Sequence, residues 1–417
     1  MAWGAEGNVE RVTVTAPSEV SSMPPNASAS GQALSRSGAR PNDAASVRDI
    51  VRDAIDRQTR LRIVGRGTWL AAGRPVDDAH PIALDGLTGI VDYTPGDLTL
   101  TARAGTTLAE IAIATAAHGQ WLALAPWGGD GGSLGATAAT ASAGPMSGAV
   151  GTPRDIVIGL EMVTGAGDLV RGGGRVVKNV AGFDLTRLMI GAWGTLGIIT
   201  EVSVRLRGSP EREATIALPM PNAVAALTDR LTRLRTAAIA PLALEIVSAG
   251  LANRLGLGTD PLMLARLAGN ADAVAAQRDA LAELGDASEI ATDVWNSLRT
   301  AEPRDASVLR LSGSVGRFAE TWTAADQLAT AGGGFAHGSV LRSVARVSFP
   351  NVDGTLASNA LDALRASTRD VRIFERLPAS LWPLLSTSAA LDPLSRGVRN
   401  AFDPHRLLNP GILGEHN

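Results

Sequence analysis

The chain has 417 residues, of which 45% are hydrophobic and 4% aromatic, with 46 glycines, 22 prolines and a formal net charge of −3. This length exceeds what a single hydrophobic core usually serves, so two domains are expected, and the lack of a basic field argues against a nucleic-acid partner. The sequence contains no cysteine, which excludes disulfides, thiolate catalysis and cysteine-ligated zinc or iron–sulfur sites within it.

The first 41 residues mix Ser, Ala, Pro and Gly without an apolar period, which predicts a disordered extension. No secretory signal and no run of about 18 apolar residues is found. The sequence therefore predicts no membrane span and a cytoplasmic protein, either free or held peripherally at the inner membrane by a partner.

The predicted elements begin at Ser46, which with Asp49 resembles a helix N-cap before apolar residues at helical spacing. Strands follow at LRIV, IVDY and LTLTARA, then a helix over about 107–117. A hairpin is predicted from DIVIGLEMV through TGAGD to LVRGG, followed by a short helix at DLTRLMIG. TEVSVRL alternates with period two, which predicts a strand with Val202, Val204 and Leu206 on its buried face.

Beyond Pro210 strands and helices alternate, which predicts helices packed on a second sheet. The predicted strands include ATIAL, LALEIV, LMLARLAG, SVLRLSGSV, SVLRSVARV and VRIFERL. The predicted helices include NAVAALTDRLTRLR, ADAVAAQRDALAEL, RFAETWTAADQLATA and LASNALDALRAS. The last segment, FDPHRLLNPGILG, is predicted to fold back on another part of the chain.

Two glycine-rich segments are candidates for binding. In VGRGTWL, Gly65 and Gly67 directly follow a strand, so the loop is either a phosphate-binding nest of backbone N–H groups or a tight turn that binds nothing. The segment from Gly128 to Gly144 carries almost no side chain larger than Leu or Thr, which suits backbone pressed against a flat ligand or a flexible linker. Hydroxyls for such a ligand are available on Ser133, Thr137 and Thr140.

The common nucleotide and zinc motifs are missing from the sequence. No stretch fits G-x-G-x-x-G or G-x-x-x-x-G-K-[ST], so neither a regular dinucleotide fingerprint nor a P-loop is present. The five histidines include no pair at H-x-x-x-H spacing, so no metal site is predicted.

Four segments in order resemble the FAD-binding domain of the vanillyl-alcohol oxidase, or PCMH-type, flavoproteins. They are VGRGTWL, GGSLGATAATASAG, GTPRDIVIGLEMVTGAGDLVRGGG and KNVAGFDLTRLMIGAWGTLGIITEVSVRL. The last is the most specific, and within the family the chain looks most similar to the FAD-binding subunit of bacterial glycolate oxidase. The resemblance covers roughly residues 43–210, and LLNPGIL resembles that subunit's C-terminus.

The resemblance implies an α+β fold, with a two-subdomain PCMH-type FAD-binding domain followed by an α+β ferredoxin-like cap domain. The expected boundaries are an extension at 1–41, the FAD domain at 42–210, the cap at 211–390 and a tail at 391–417 that returns to the FAD domain. FAD is expected to be bound non-covalently, because no histidine lies between positions 43 and 79.

The resemblance also implies which residues contact FAD. The loop residues would wrap the pyrophosphate, the small-residue segment would run beside the isoalloxazine and ribityl chain, and two isoleucines would lie near the adenine. For Lys178 and Asn179 a purely local turn role is equally open, and Asp184 is interpreted as a helix N-cap. The implied set is Gly65, Arg66, Gly67, Thr68, Trp69, Pro126, Gly132, Ser133, Gly135, Thr137, Thr140, Lys178, Asn179, Ile198, Ile199 and Asn409.

No catalytic base is identified, because the C-terminal histidine and acid cluster of 2-hydroxy acid-oxidising relatives is missing. Between Gly338 and the end only His405 and His416 remain, in a turn and a tail. Arginines on predicted cap strands, Arg266, Arg310 and Arg346, are candidates for binding a substrate carboxylate, or else solvated edge charges. Trp295 and Trp322 are predicted to be core residues.

The resulting hypothesis is an FAD-binding oxidoreductase subunit of a glycolate oxidase complex that oxidises a small 2-hydroxy acid. A second FAD-containing catalytic subunit and an iron–sulfur subunit would be its partners, and electrons would pass to the latter. Two alternatives remain: a non-catalytic structural or assembly subunit, and a self-sufficient FAD-dependent 2-hydroxy acid dehydrogenase.

Overall fold

The computed structural model describes residues 38–174, 184–350, 371–385 and 392–415. Most of the predicted N-terminal extension, Lys178, Asn179, His416 and the helix predicted at LASNALDALRAS lie outside these ranges. The helices within them are α1 (Ala44–Asp56), α2 (Leu108–Ala116), α3 (Leu134–Thr140), α4 (Ser147–Val150), α5 (Pro153–Ile156), α6 (Leu185–Met189), α7 (Val224–Thr236), α8 (Ala249–Arg254), α9 (Ala271–Ala282), α10 (Val294–Arg299), α11 (Phe318–Ala331) and α12 (Pro393–Phe402).

The first helix begins three residues earlier than predicted. Asp43, not Ser46, is the N-cap of α1, because its carboxylate accepts a hydrogen bond from the backbone N of Ser46 at 2.7 Å. An aspartate cap also places a negative charge at the positive end of the helix dipole. The other predicted cap, Asp184, accepts from the backbone N of Arg187 at the start of α6.

A small parallel sheet opens the fold. Strand β1 (Leu61–Val64) pairs with β2 (His80–Ala83), and on its other side the C-terminal segment runs parallel to it. The amide of Leu61 donates to Leu407 O at 2.7 Å, and the amide of Asn409 donates to Leu61 O at 2.9 Å. The last residues of the described chain therefore complete this sheet.

The second sheet has five antiparallel strands in the order β3-β4-β8-β6-β7. Its centre is β8, whose Val202, Val204 and adjacent Leu206 are at most 1% exposed, which confirms the predicted alternation. The predicted hairpin is the β6–β7 pair. The strands are β3 (Ile90–Thr94), β4 (Thr99–Arg103), β6 (Val157–Thr164), β7 (Leu169–Gly173) and β8 (Gly197–Arg205), beside a short pair, β5 (Gln120–Trp121) and β9 (Arg207–Gly208).

The third sheet has eight antiparallel strands in the order β13-β10-β12-β11-β15-β16-β14-β17. Strands β10 to β13, with α7 and α9, follow the βαββαβ order of a ferredoxin-like unit along the chain. Strands β14 to β17 form a second four-stranded half beside it with the same arrangement of strands. The expected α+β class is confirmed. The strands are β10 (Arg212–Pro219), β11 (Ala243–Val247), β12 (Leu262–Gly269), β13 (Ser288–Ile290), β14 (Ser307–Ser312), β15 (Phe335–Ser339), β16 (Val344–Phe349) and β17 (Val371–Arg376).

One predicted strand of this sheet is wrong. SVLRSVARV is not a single strand, because its first half turns the chain between β15 and β16, with Ser343 at a φ of 52°. The strand before the turn, FAHGS, has no alternating β-branched residues and was not predicted. It carries His337 into the middle of the sheet.

The two faces of the eight-stranded sheet differ in chemistry. One face is apolar and packs under α7, α9 and α11. Phe318 and Trp322 of α11 lie in this core, where Trp322 was predicted and is 4% exposed. The opposite face turns toward the five-stranded sheet, where the equally buried Trp295 donates to Thr215 Oγ1 at 2.9 Å. This inner face carries charged side chains, so the region between the two sheets has both apolar and ionic contacts.

Candidate functional site

A cleft opens at the carboxyl end of β1, between the loop that follows it, α3, the turn before β8 and the C-terminal segment. It has about 760 Å³ of empty space, part of it open to solvent. Its walls come from segments far apart in sequence: residues 62–70, Ala104, parts of the segments 133–140 and 193–199, Asn409 and Ile412. Ligand sites in αβ folds favour such strand ends.

The loop after β1 presents its backbone to this cleft. Gly67 has a φ of 71°, in the left-handed region that glycine adopts without strain. None of the backbone amides of residues 65–70 donates a hydrogen bond to an acceptor in the described part of the chain. Polar backbone groups normally find a partner, so these amides are available to an anionic ligand such as a pyrophosphate.

The opposite wall is α3, so the small-residue segment is partly a helix rather than a linker. Ser133 is its N-cap, and Gly135 packs so closely that an added Cβ would lie 2.5 Å from Ala104 Cβ. The hydroxyls of Thr137 and Thr140 donate to carbonyls one turn earlier, at 3.0 and 2.7 Å. Small residues here bring the helix close to β4 and the loop, which leaves a narrow slot.

The floor of the cleft is held by Asn409. Its Oδ1 accepts from the backbone N of Ile63 at 2.8 Å, and its Nδ2 donates to Trp193 O at 2.7 Å. Gly194 passes so close that an added Cβ would lie 2.9 Å from Asn409 Nδ2. The C-terminal segment therefore ties β1 to the turn before β8.

The cleft collects most of the residues predicted to contact FAD, though not all. Pro126, Gly132, Thr137 and Ile198 do not line it, and Lys178 and Asn179 lie outside the described residues. Pro126 instead accepts a hydrogen bond from Arg299 Nε at 2.9 Å. The predicted residues that line the cleft are Gly65, Arg66, Gly67, Thr68, Trp69, Ser133, Gly135, Thr140, Ile199 and Asn409.

Arg62 and Trp193 are among the cleft residues that the sequence analysis did not identify. Arg62 lies in β1 and Trp193, with a φ of 54°, lies in the turn before β8. The sequence does give one indication of Arg62, which is a charged residue inside the otherwise apolar strand LRIV just before the glycine loop. Trp193 gave no signal beyond its glycine-rich surroundings.

The inner face of the eight-stranded sheet carries all three predicted substrate arginines, but each is paired with a carboxylate. Arg266 Nη2 lies 2.7 Å from Glu213, and Arg310 Nε lies 2.9 Å from Glu375. Arg346 binds both Glu302 and Glu375, at 2.8 and 2.5 Å. As folded, these guanidinium groups neutralise protein carboxylates, which disfavours the role of substrate clamp predicted for them.

A buried histidine lies at the centre of this ionic network. His337 is 1% exposed, with Nε2 3.2 Å from Glu302 and Nδ1 3.8 Å from Glu245. Burial opposes its charge, but the carboxylates of Glu245 and Glu302 beside it prevail and raise the pKa of His337. Sequence reasoning missed this group, since its members come from four separate segments.

The two carboxylates beside His337 differ in environment. Burial raises the pKa of Glu245, which is fully buried and keeps both carboxyl oxygens without a hydrogen bond of good geometry. Burial acts in the same direction on Glu302, yet Arg346 overcomes it and holds the pKa of Glu302 well below its ordinary value. Their surroundings therefore shift the pKa values of the two carboxyl groups in opposite directions.

This network borders the loop of the cleft. The Trp127 ring lies 4.4 Å from the His337 ring and 5.2 Å from the Arg346 guanidinium carbon. The amide of Gly73 donates to Glu375 O at 2.9 Å, so the chain leaving the cleft loop pairs with the end of β17. Within the described ranges, no three His, Asp or Glu side chains are grouped to hold a metal ion, and no helix is long and apolar enough to cross a bilayer.

Comparison with known proteins places this geometry in a family. A family model described as an FAD binding domain matches residues 38–173. The chain is 34% identical over 250 residues to "Glycolate oxidase subunit GlcE" of Escherichia coli (strain K12), covering 60% of this chain and 66% of that protein. It is 33% identical over 196 residues to "Glycolate oxidase subunit GlcD" of Bacillus subtilis (strain 168), covering 46% of this chain and 42% of that protein.

A solved structure extends the likeness of fold beyond the matched domain. A substrate-bound p-cresol methylhydroxylase superposes with a TM-score of 0.69 at 14% identity, over 90% of this chain and 88% of that one. The fold shared with that enzyme confirms the predicted resemblance. The chain belongs to the proteins that carry an FAD binding domain, FAD is the cofactor of that domain, and the fold is the one seen in p-cresol methylhydroxylase.

Proposed function

We propose that this chain is the FAD-binding subunit of an oxidoreductase that acts on a small 2-hydroxy acid, of the glycolate oxidase type. The observation that carries the FAD part is the cleft itself, in which the amides of residues 65–70 are unpaired within the described chain beside a wall of small residues. The substrate class is supported by the two relatives named as glycolate oxidase subunits.

The residues of the chain bind and orient FAD in this proposal. The loop amides would hold the pyrophosphate, as backbone nests do, and α3 would press against the flat part of the cofactor. When bound, FAD would supply a two-electron acceptor for the oxidation of the 2-hydroxy acid by the complex. Asn409 fixes the relative position of β1 and the turn at Trp193, and thus the shape of the slot.

The inner face of the eight-stranded sheet supports a subunit over a self-sufficient enzyme. A substrate carboxylate needs a cation with free donors, but Arg266, Arg310 and Arg346 are all engaged by carboxylates in the described structure. Displacing such a pair would strand a charge in the interior, which is costly. A partner subunit that binds the substrate avoids this cost, and with no cysteine here an iron–sulfur centre would also belong to a partner.

The test is purification of the chain alone and with its co-purifying partners. Flavin released by denaturation should approach one FAD per chain, and the isolated chain should reduce an artificial acceptor only weakly with glycolate or longer 2-hydroxy acids. Full activity by the isolated chain would reject the subunit assignment. A chain that is colourless and takes up no added FAD would reject the redox role.

A structural or assembly subunit is the second candidate, and the paired arginines favour it too. The two readings differ in what FAD loss does to the complex. If the flavin is redox-active, a chain emptied of FAD should leave the complex assembled but inactive. If the role is structural, the emptied chain should support normal activity once assembled.

A further inference from the structure

The guanidinium of Arg62 lines the FAD cleft without an acidic partner in the described structure. Its only hydrogen-bond acceptors there are neutral oxygens, Asn409 Oδ1 and Leu70 O, each at a long 3.4 Å. Burial lowers the pKa of Arg62 to about 10, which shows how little the surroundings compensate its charge. The contacts hold the side chain in place but leave most of its donors unused.

The other arginines near this region differ from Arg62. Arg66, in the cleft loop, donates to Gly105 O at 3.1 Å and lies 3.9 Å from the exposed carboxylate of Glu110 on α2. The more deeply buried Arg346 has two carboxylates around it. An uncompensated cation in a half-buried slot is unfavourable, so an anion in the slot would relieve a cost already present in the empty cleft.

We propose that Arg62 is the counter-ion for the pyrophosphate of FAD, acting beside the unpaired amides of residues 65–70. A guanidinium suits this task, because its fork of donors matches two phosphate oxygens and its charge is delocalised. Asn409 acts as a positioning residue, since it accepts from both the Arg62 side chain and the backbone of Ile63. The inference rests on the FAD site of the proposed function and adds the residue that compensates the negative charge of the cofactor.

The experiment compares FAD-depleted wild type with Arg62→Met and Arg62→Lys, titrated with FAD, ADP and riboflavin. FAD and ADP share the pyrophosphate, whereas riboflavin has none. Arg62→Met should weaken FAD and ADP by about tenfold or more, because a charge-assisted pair is lost. Riboflavin affinity should stay unchanged, and Arg62→Lys should restore part of the FAD affinity.

A matched control is Arg57→Met, which removes the same charge from the exposed end of α1, where Arg57 forms an ion pair with Asp53. It should leave all three affinities unchanged. Thermal unfolding without ligand gives an independent readout: apo Arg62→Met should be at least as stable as apo wild type, since an uncompensated buried charge has gone. Added FAD should then raise its melting temperature less than that of wild type.

Each contrary outcome has a distinct meaning. Equal losses for riboflavin and FAD, or a strongly destabilised apo Arg62→Met, would show a packing role and overturn the inference. Unchanged FAD affinity of Arg62→Met would overturn the inference about Arg62 and leave the proposed function intact. A wild-type chain that binds no FAD would overturn both.

Discussion

The side-chain oxygen of Asn409 lies 2.8 Å from the backbone N of Ile63, although 346 positions separate the two residues. With the bond from its Nδ2 to Trp193 O, this contact joins three distant segments at the floor of the FAD cleft. A single amide side chain therefore couples the C-terminal segment to cofactor binding.

Asn409→Ala should lose both bonds and leave the amide of Ile63 and the carbonyl of Trp193 short of partners. The expected cost is about 1–3 kcal/mol in the free energy of unfolding, with weaker FAD binding. Urea denaturation with and without FAD measures both effects. Asn253→Ala, at an exposed position on α8, is the control; equal behaviour of the two variants would contradict the role given to Asn409.

Gly67→Val should empty the cleft more than it unfolds the protein. A β-branched residue at a φ of 71° is strained, and its side chain would stand where the loop backbone must approach the cofactor. Released flavin per chain should fall sharply while the circular dichroism spectrum of the soluble variant is retained. Gly96→Val, in an exposed turn with open space around it, should keep its flavin; a Gly67→Val variant with full flavin would refute the loop assignment.

Glu302→Gln should destabilise the chain strongly, because it removes the carboxylate shared by Arg346 and Arg376. Stranding buried guanidinium charges costs about 3–5 kcal/mol. The exposed Glu283→Gln should be near neutral. In a double-mutant cycle, adding Arg346→Met should return part of the loss, and strict additivity of the two changes would argue against a coupled pair.

His337 should make the stability fall as the solution becomes alkaline. Its folded-state pKa is raised above the ordinary 6.5, so its contribution is fully present below about pH 6.5 and is lost as pH rises through the folded-state value. The groups facing it are Glu245, Glu302, Arg346 and the Trp127 ring. Denaturation of wild type and His337→Gln from pH 6 to 9 checks this; the variant should show a flatter profile, and parallel profiles would exclude the assignment.

Glu302, in the same cluster, should make the stability fall as the solution becomes acidic. The pKa of Glu302 is held below its ordinary 4.5, so the stability it contributes is present above about pH 4.5 and is lost as pH falls through the folded-state value. Wild type should therefore lose stability on acidification below about pH 4.5 more steeply than Glu302→Gln does. Equal acid sensitivity would mean that the Arg346–Glu302 pair contributes little.

Much of the fold is readable from local pattern. The alternation in TEVSVRL predicts β8 because one face of that strand lies in the core, and the glycine loop after LRIV marks the cleft because few residues other than glycine tolerate its backbone. The segment FAHGS forms a central strand although its own residues show no strand pattern, because the strands on both sides of it supply the packing. Likewise Ser46 looked like a cap, yet the carboxylate of Asp43 reached its amide instead.

The sequence alone indicated the family and the cofactor through the resemblance of four segments, and it marked two glycine-rich segments as candidate walls of a site, because the freedom of a glycine backbone is encoded within short stretches. Only the tertiary structure decided that Arg62 faces the slot unpaired, that Asn409 closes its floor and that the cap arginines are engaged by Glu213, Glu302 and Glu375. Charges interact through space and not along the chain, so whether a guanidinium is free or neutralised is settled only when distant strands are brought side by side.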